Sequence, residues 1–227
     1  MVSFCARLRA RLLRLVGLAT TWKGPSKTKL LLVVEGPHDI EFLKRASAIL
    51  RGHNSRIPDL AALERQGRLV FIPFGGGDLW LRATRLAGLE LHELHLYDRE
   101  EQPETEIRQK AVDLINLRPS CRAVLTKKRS LENYLHSSAI REVCGIDLYF
   151  SDDDPVADLL AQRLYEREEN RGPWSELPRP GKAKRRNRVK QRLNTRAVDR
   201  MTPERFAERD PDGEIVSWLV TIAQLTG

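Results

Sequence analysis

Four short apolar runs alternating with helix-spaced segments constrain this chain more than any other feature. Residues 29–35 (KLLLVVE), 68–74 (RLVFIPF), 93–97 (ELHLY) and 122–126 (RAVLT) are each too short for a helix. Being nearly continuous rather than alternating, they read as strands buried on both faces. Between them lie segments with helical spacing: residues 39–50 through Ile40, Leu43, Ala46 and Leu50; residues 79–86; and residues 104–117, whose charged residues are spaced around Ile107, Ala111 and Leu114. That rhythm predicts βαβ units, so the fold class is α/β: a Rossmann-like, mainly parallel central sheet of about four strands flanked by helices.

In such sheets the ligand site lies beyond the carboxyl ends of the strands. Here those ends carry Glu35, the run Gly75-Gly76-Gly77-Asp78, Asp98 and the segment from Lys127 to Glu132. Glu35-Gly36-Pro37-His38-Asp39 sets one carboxylate at a strand end and another at the start of the next helix. Gly36 allows a tight turn between them. Asp98-Arg99-Glu100 adds two more, which an extended chain would point the same way. Mg²⁺ or Mn²⁺, one or two ions, suits such a set, because hard cations prefer carboxylates together with water or phosphate oxygens. Asp39 also suits a plain helix cap, and Glu100 with its acidic neighbours a solvated loop. The glycine run lacks a Walker lysine and reads as a strand-to-helix turn at the rim of the site.

The net charge of +8 and pI of about 9.7 favour a polyanionic partner. The charge is unevenly placed. Lys182, Lys184, Arg185, Arg186, Arg188, Lys190, Arg192 and Arg196 form an acid-free segment after a Pro/Gly-rich stretch, and phosphate contact is the expected role. Cys5, Cys121 and Cys144 show no zinc spacing, which suits a reducing cytoplasm. In residues 1–22, Arg7, Arg9, Arg11 and Arg14 interrupt the leucines. That argues against a signal peptide or a membrane span and for a basic N-terminal extension. Three regions follow: the extension (1–26), an α/β domain (27–150) and a helical, basic C-terminal region (151–227). In the last, helices are expected from about Asp152 to Arg167, over 203–206 and over 214–225.

With these residues in view, residues 29–135 resemble a TOPRIM domain. The strand ending in Glu35-Gly36 with Asp39 following matches that family's first motif, and Asp98 matches the start of its Asp-x-Asp pair. Glu100 stands where the family has Asp. The resemblance implies Mg²⁺ or Mn²⁺ chemistry on nucleic-acid phosphodiesters, with Glu35 as general acid or base and Asp39 and Asp98 as metal ligands. Within the family the chain is most similar to the nuclease branch typified by overcoming-lysogenisation-defect proteins. Ser130 and Glu132, in Arg129-Ser130-Leu131-Glu132-Asn133-Tyr134-Leu135, match that branch's Ser-x-Glu element at its second metal position. The branch also implies a downstream lysine that stabilises transition-state charge, with Lys182, Lys184 and Lys190 as candidates. Lys184, Arg185, Arg186, Arg188 and Arg192 are then expected to hold the nucleic-acid backbone. The expected activity is cleavage or nicking of DNA, in preference to RNA processing or a non-catalytic docking role. No Walker motif is present, so any ATPase or defence-system component would be a separate, cytoplasmic partner.

Overall fold

The computed structural model describes residues 28–75, 85–169 and 172–227. The N-terminal extension, Gly76-Gly77-Asp78 and most of the helix expected over 79–86 lie outside the described residues. The four expected strands form: β1 (Leu30–Val34), β2 (Leu69–Pro73), β3 (His92–Tyr97) and β4 (Cys121–Leu125). They make one sheet, ordered β2-β1-β3-β4, and every pairing is parallel.

The near-continuous apolar character of β1 has the cause expected of it. Leu30, Leu32 and Val34 enter one core while Leu31 and Val33 enter another. The first core is covered by α1 (Pro37–Arg51) through Phe42, Leu43 and Ala46, by the short α2 (Leu60–Arg65), and by helices that follow the sheet. These are α4 (Ser137–Cys144), α5 (Val156–Glu166), α6 (Arg179–Arg192), α7 (Pro203–Arg209) and α8 (Glu214–Thr226). The C-terminal region is therefore helical, and it shares the β1 core from Leu30 to Ile222 rather than forming its own.

The second face is covered by α3 (Glu104–Asn116), and here one expectation needs correcting. The spacing predicts Ile107 and Leu114 among its inward residues, but they are 58% and 43% exposed. Ala111, Val112 and Ile115 are buried instead. The helix is rotated so that Arg108, one turn before Ala111 and Val112, also points inward, toward the end of β1. Beneath α3, β3 carries an unexpected polar ladder. His95 Nε2 bonds Glu93 Oε2 at 2.9 Å, His95 Nδ1 bonds the Tyr97 hydroxyl at 2.8 Å, and Arg118 Nη2 donates to Glu93 Oε1 at 2.6 Å. Glu93 and His95 are fully buried, so these partners are what make their burial tolerable.

Among the described residues no helix is long and apolar enough to cross a membrane.

Candidate metal centre

The strand order fixes where the site lies. From β1 the chain moves outward to β2, then crosses back over β1 to β3, so the order reverses between β1 and β3. Helical connections leave a crevice beyond the carboxyl ends at such a switch point. Glu35 follows β1 and Asp98 follows β3. Glu35 Oε1 accepts from the Asp98 N–H at 3.0 Å. Carboxylate oxygens of Glu35, Asp98 and Glu100 lie within 4.8 Å of one another.

Glu100 arrives there by a different route from the one its spacing suggested. The chain after β3 is not extended: Glu100 is left-handed, with φ of 57°, and its N–H donates to the Arg129 carbonyl at 2.9 Å. A non-glycine residue pays roughly 1–2 kcal/mol for this backbone, and here the turn delivers the longer glutamate arm to the same point as Asp98. Arg129 Nε stands 3.7 Å from its carboxylate.

Asp39, Asp98 and Glu132 each have one oxygen anchored by a hydrogen bond and one without. Asp39 Oδ2 accepts from the Gly36 N–H at 2.8 Å, so Asp39 does act at the start of α1, yet its other oxygen accepts no hydrogen bond. Asp98 Oδ1 accepts from the Leu131 N–H at 3.0 Å, and its second oxygen is likewise unpartnered. Glu132 Oε1 accepts from Asn194 Nδ2 at 2.7 Å. Asp39, Asp98 and Glu132 are 8%, 4% and 1% exposed. Burying charge without a full set of partners is costly unless a cation completes the set. The oxygen-only chemistry and the second, unpartnered oxygen of Asp98 fit a hard divalent ion.

The electrostatics agree. Burial, then the charge of Glu132, pushes the Asp39 carboxyl up to about 6. Burial, then Asp39 and Glu132, pushes Asp98 well above the ordinary carboxylate range. Burial raises Glu100 despite the opposing charges of Lys190 and Arg129. Asp98 thus senses Asp39 and Glu132 on one side as well as Glu100 on the other.

Of the three candidate catalytic lysines only Lys190 reaches the acids, with Nζ 3.8 Å from Glu132 Oε1. Lys182 is two turns away, donating to the Ser175 carbonyl at 3.2 Å and lying over the Trp174 ring, so the fold does not bring it to the acids. The intervening geometry explains why. Lys190 shares a face of α6 with Arg186 and Asn187, and that face looks across a cavity of about 420 Å³ toward Glu100, Ser130 and Glu132. Arg185, Arg188 and Arg192 lie on the opposite face, along a separate hollow. Arg185 is bonded to Glu168 at 2.7 and 2.9 Å and stacked on Tyr165. Lys184 is exposed. The expected phosphate-binding segment is therefore a two-sided helix, with Arg186 and Lys190 toward the acids. Ser130 lines the cavity, but its hydroxyl donates to Asn133 Oδ1 at 2.9 Å, which braces the turn carrying Glu132.

Sequence reasoning missed Arg108, Asn187 and Asn194. Arg108 clamps Glu35 through an Nη1 bond to Oε1 and a longer Nη2 contact to Oε2 at 3.4 Å. It also donates to the Asp98 carbonyl at 2.7 Å, tying the ends of β1 and β3 together. Its spacing from Ala111, Val112 and Ile115 is the signal that would have found it. Asn187 Oδ1 contacts His38 Nε2 at 3.0 Å, joining α6 to the first turn of α1. Asn194 sits in a π-turn (Leu193–Ala197) that extends α6, a distortion with no sequence signature.

Compared with family models, with characterised proteins and with solved structures, the chain matches none.

Proposed function

We propose that this protein is a divalent-metal-dependent nuclease that cleaves or nicks DNA phosphodiesters through a TOPRIM-like carboxylate site. The observation that carries this reading is the meeting of Glu35, Asp98 and Glu100 at the β1/β3 switch point. The basic face of α6 across the cavity supports it, since acids that hold a cation and bases that hold a phosphate are what such chemistry requires.

A Mg²⁺ or Mn²⁺ ion, when bound, offsets charge on the phosphodiester and supplies an activated water. Glu35, Asp98 and Glu100 would hold it. Arg108 and the Asp98 N–H orient the Glu35 carboxylate, which takes the general acid or base role that the resemblance implies for it. Lys190 offers fixed positive charge where negative charge develops, an effect worth about 10²–10³ in rate for a well-placed donor. Arg186 and Asn187 line the approach and steer the sugar–phosphate backbone. Among the described residues no aromatic side chain lines this cavity.

Supercoiled plasmid incubated with Mg²⁺ or Mn²⁺ should become nicked or linear. Chelator, Glu35→Gln and Asp98→Asn should each abolish the conversion. Tight DNA binding with intact plasmid in every metal would instead make the chain a docking module.

A further inference from the structure

Away from the carboxylates, the loop between α4 and α5 presents an aromatic ring that packing does not explain. Tyr149 is 89% exposed, and among the described residues its side chain has no ring or hydrogen-bond partner. A lone exposed ring is ordinary, but this one is held out by a loop fastened around it. Ile146 and Leu148 are buried in the first core, and Phe150 lies half-buried beneath the Arg209 guanidinium, 4.9 Å from its ring centre. The Asn133 side-chain amide donates to the Ser151 and Asp154 carbonyls, both at 3.0 Å. The Tyr149 ring therefore meets water on a rigid base, and little freedom is lost when a partner stacks on it.

Beside it is a small hollow of about 170 Å³, lined by His136, Ser137, Leu148, Tyr149, Phe150 and Arg209. Four of these six residues carry flat aromatic or guanidinium groups. The fold fixes two of the planes by hydrogen bonds. His136 Nδ1 accepts from the Ser138 N–H at 3.2 Å, and its Nε2 meets Glu208 at 3.0 Å. Arg209 donates from Nε and Nη2 to the Asn133 carbonyl at 3.2 and 2.7 Å, and from Nη2 to Asp152 at 3.2 Å. Its Nη1 and the Ser137 hydroxyl are left without a hydrogen-bond partner among the described residues. Flat rings beside a guanidinium are the surface on which an unpaired nucleobase stacks, and free donors suit the acceptors on its edge. Drug-sized ligands take about 300–1,000 Å³, so a hollow this small suits a single heterocycle.

The hollow is tied to the candidate metal centre, because Arg209 grips the Asn133 carbonyl in the turn whose Ser130 and Glu132 line the larger cavity. From Glu132 to His136 is at most about 14 Å of extended chain, or about four steps along a nucleic-acid strand at roughly 3.4 Å each. We propose that the Tyr149 hollow binds one unpaired nucleobase of the substrate strand, stacked on the Tyr149 ring and bonded by Arg209, which rests on the nuclease reading above and adds a base to the phosphates it invokes.

A single-stranded oligonucleotide carrying 2-aminopurine at several positions, titrated into the full chain in chelator, tests this without any strand being cut. Wild type should quench the 2-aminopurine fluorescence, and Tyr149→Phe should do the same. Tyr149→Ala, which leaves the core intact, should bind at least about fivefold more weakly and without quenching. An oligonucleotide with abasic sites in place of the 2-aminopurines should bind wild type with the same loss. No quenching by wild type, equal binding by Tyr149→Ala, or undiminished binding of the abasic strand would overturn the inference. Adenosine monophosphate binding wild type as tightly as the oligonucleotide would overturn it too, assigning the hollow to a free nucleotide. Plasmid nicking in Mg²⁺, measured separately, reports on the metal centre, so either can fail while the other stands.

Discussion

Replacing Asp39 with Asn should make the metal-free protein more stable, the opposite of what loss of a native helix-start contact usually does. Asn keeps an acceptor for the Gly36 N–H, so the 2.8 Å bond at the start of α1 survives. What disappears is a buried negative charge beside Glu132 and Asp98. The folded carboxyl titrates at about 6 against an ordinary 3.8, and each pH unit of such a shift corresponds to about 1.4 kcal/mol. At neutral pH the charged side chain therefore costs the fold about 2–3 kcal/mol. Because the folded value is raised, this cost is absent below the unfolded value and grows as pH climbs through about 6. For a chain of this size, 1 kcal/mol moves the melting temperature by about 2–4 °C. Calorimetric melts in chelator near neutral pH should place Asp39→Asn roughly 5–10 °C above wild type, and the difference should vanish near pH 4. A variant that melts lower than wild type in chelator at neutral pH would refute the reasoning, because Asp39 would then be a structural cap and not part of an uncompensated acidic site.

Three further outcomes follow from the same geometry. Lys190→Ala should lower cleavage about 10²-fold in a plasmid assay, whereas Lys182→Ala, whose ammonium is engaged with Ser175 and Trp174, should stay within about twofold of wild type. Arg186→Ala should weaken DNA binding and reduce the log–log salt slope by about one, while Arg185→Ala, already paired with Glu168, should change that slope little in the same fluorescence titration. Burial holds the His95 imidazole below its ordinary value of 6.5, so its contribution to stability is lost as pH falls. The gap in melting temperature between wild type and His95→Gln should therefore narrow between about pH 7.5 and about pH 5.5.

The parts of the fold that were legible in the sequence are those governed by local periodicity. β1 could be read because a strand buried on both faces must be apolar at every position, and Leu30 through Val34 are. Glu35 and Asp98 could be placed together because strand ends in a parallel sheet meet at the switch point whatever the helices do. Side-chain direction was less legible. α3 carries apolar residues on two stripes, and composition alone does not say whether Ile107 and Leu114 or Val112 and Ile115 face the sheet; the buried stripe is the one that brings Arg108 to Glu35. Glu100 reached its expected neighbours through a left-handed turn that spacing does not encode. The basic segment looked uniform as sequence because charge has no direction there. Once it is wound into α6, its period sends Arg186 and Lys190 to the acids and Arg185 to Glu168. Glu93 and His95 on β3 could not be read as buried, since their burial depends on Arg118 and the Tyr97 hydroxyl, neither of which local periodicity assigns to them.

The central claim is that Glu35, Asp98 and Glu100 form the seat of a divalent cation. Crystals of the full chain soaked in Mn²⁺ and measured at the manganese absorption edge test it most directly. A single anomalous peak bonded to oxygens of all three side chains, absent from Asp98→Asn crystals, is the predicted result. Three carboxylates still clustered with no peak among them at saturating Mn²⁺ would contradict it.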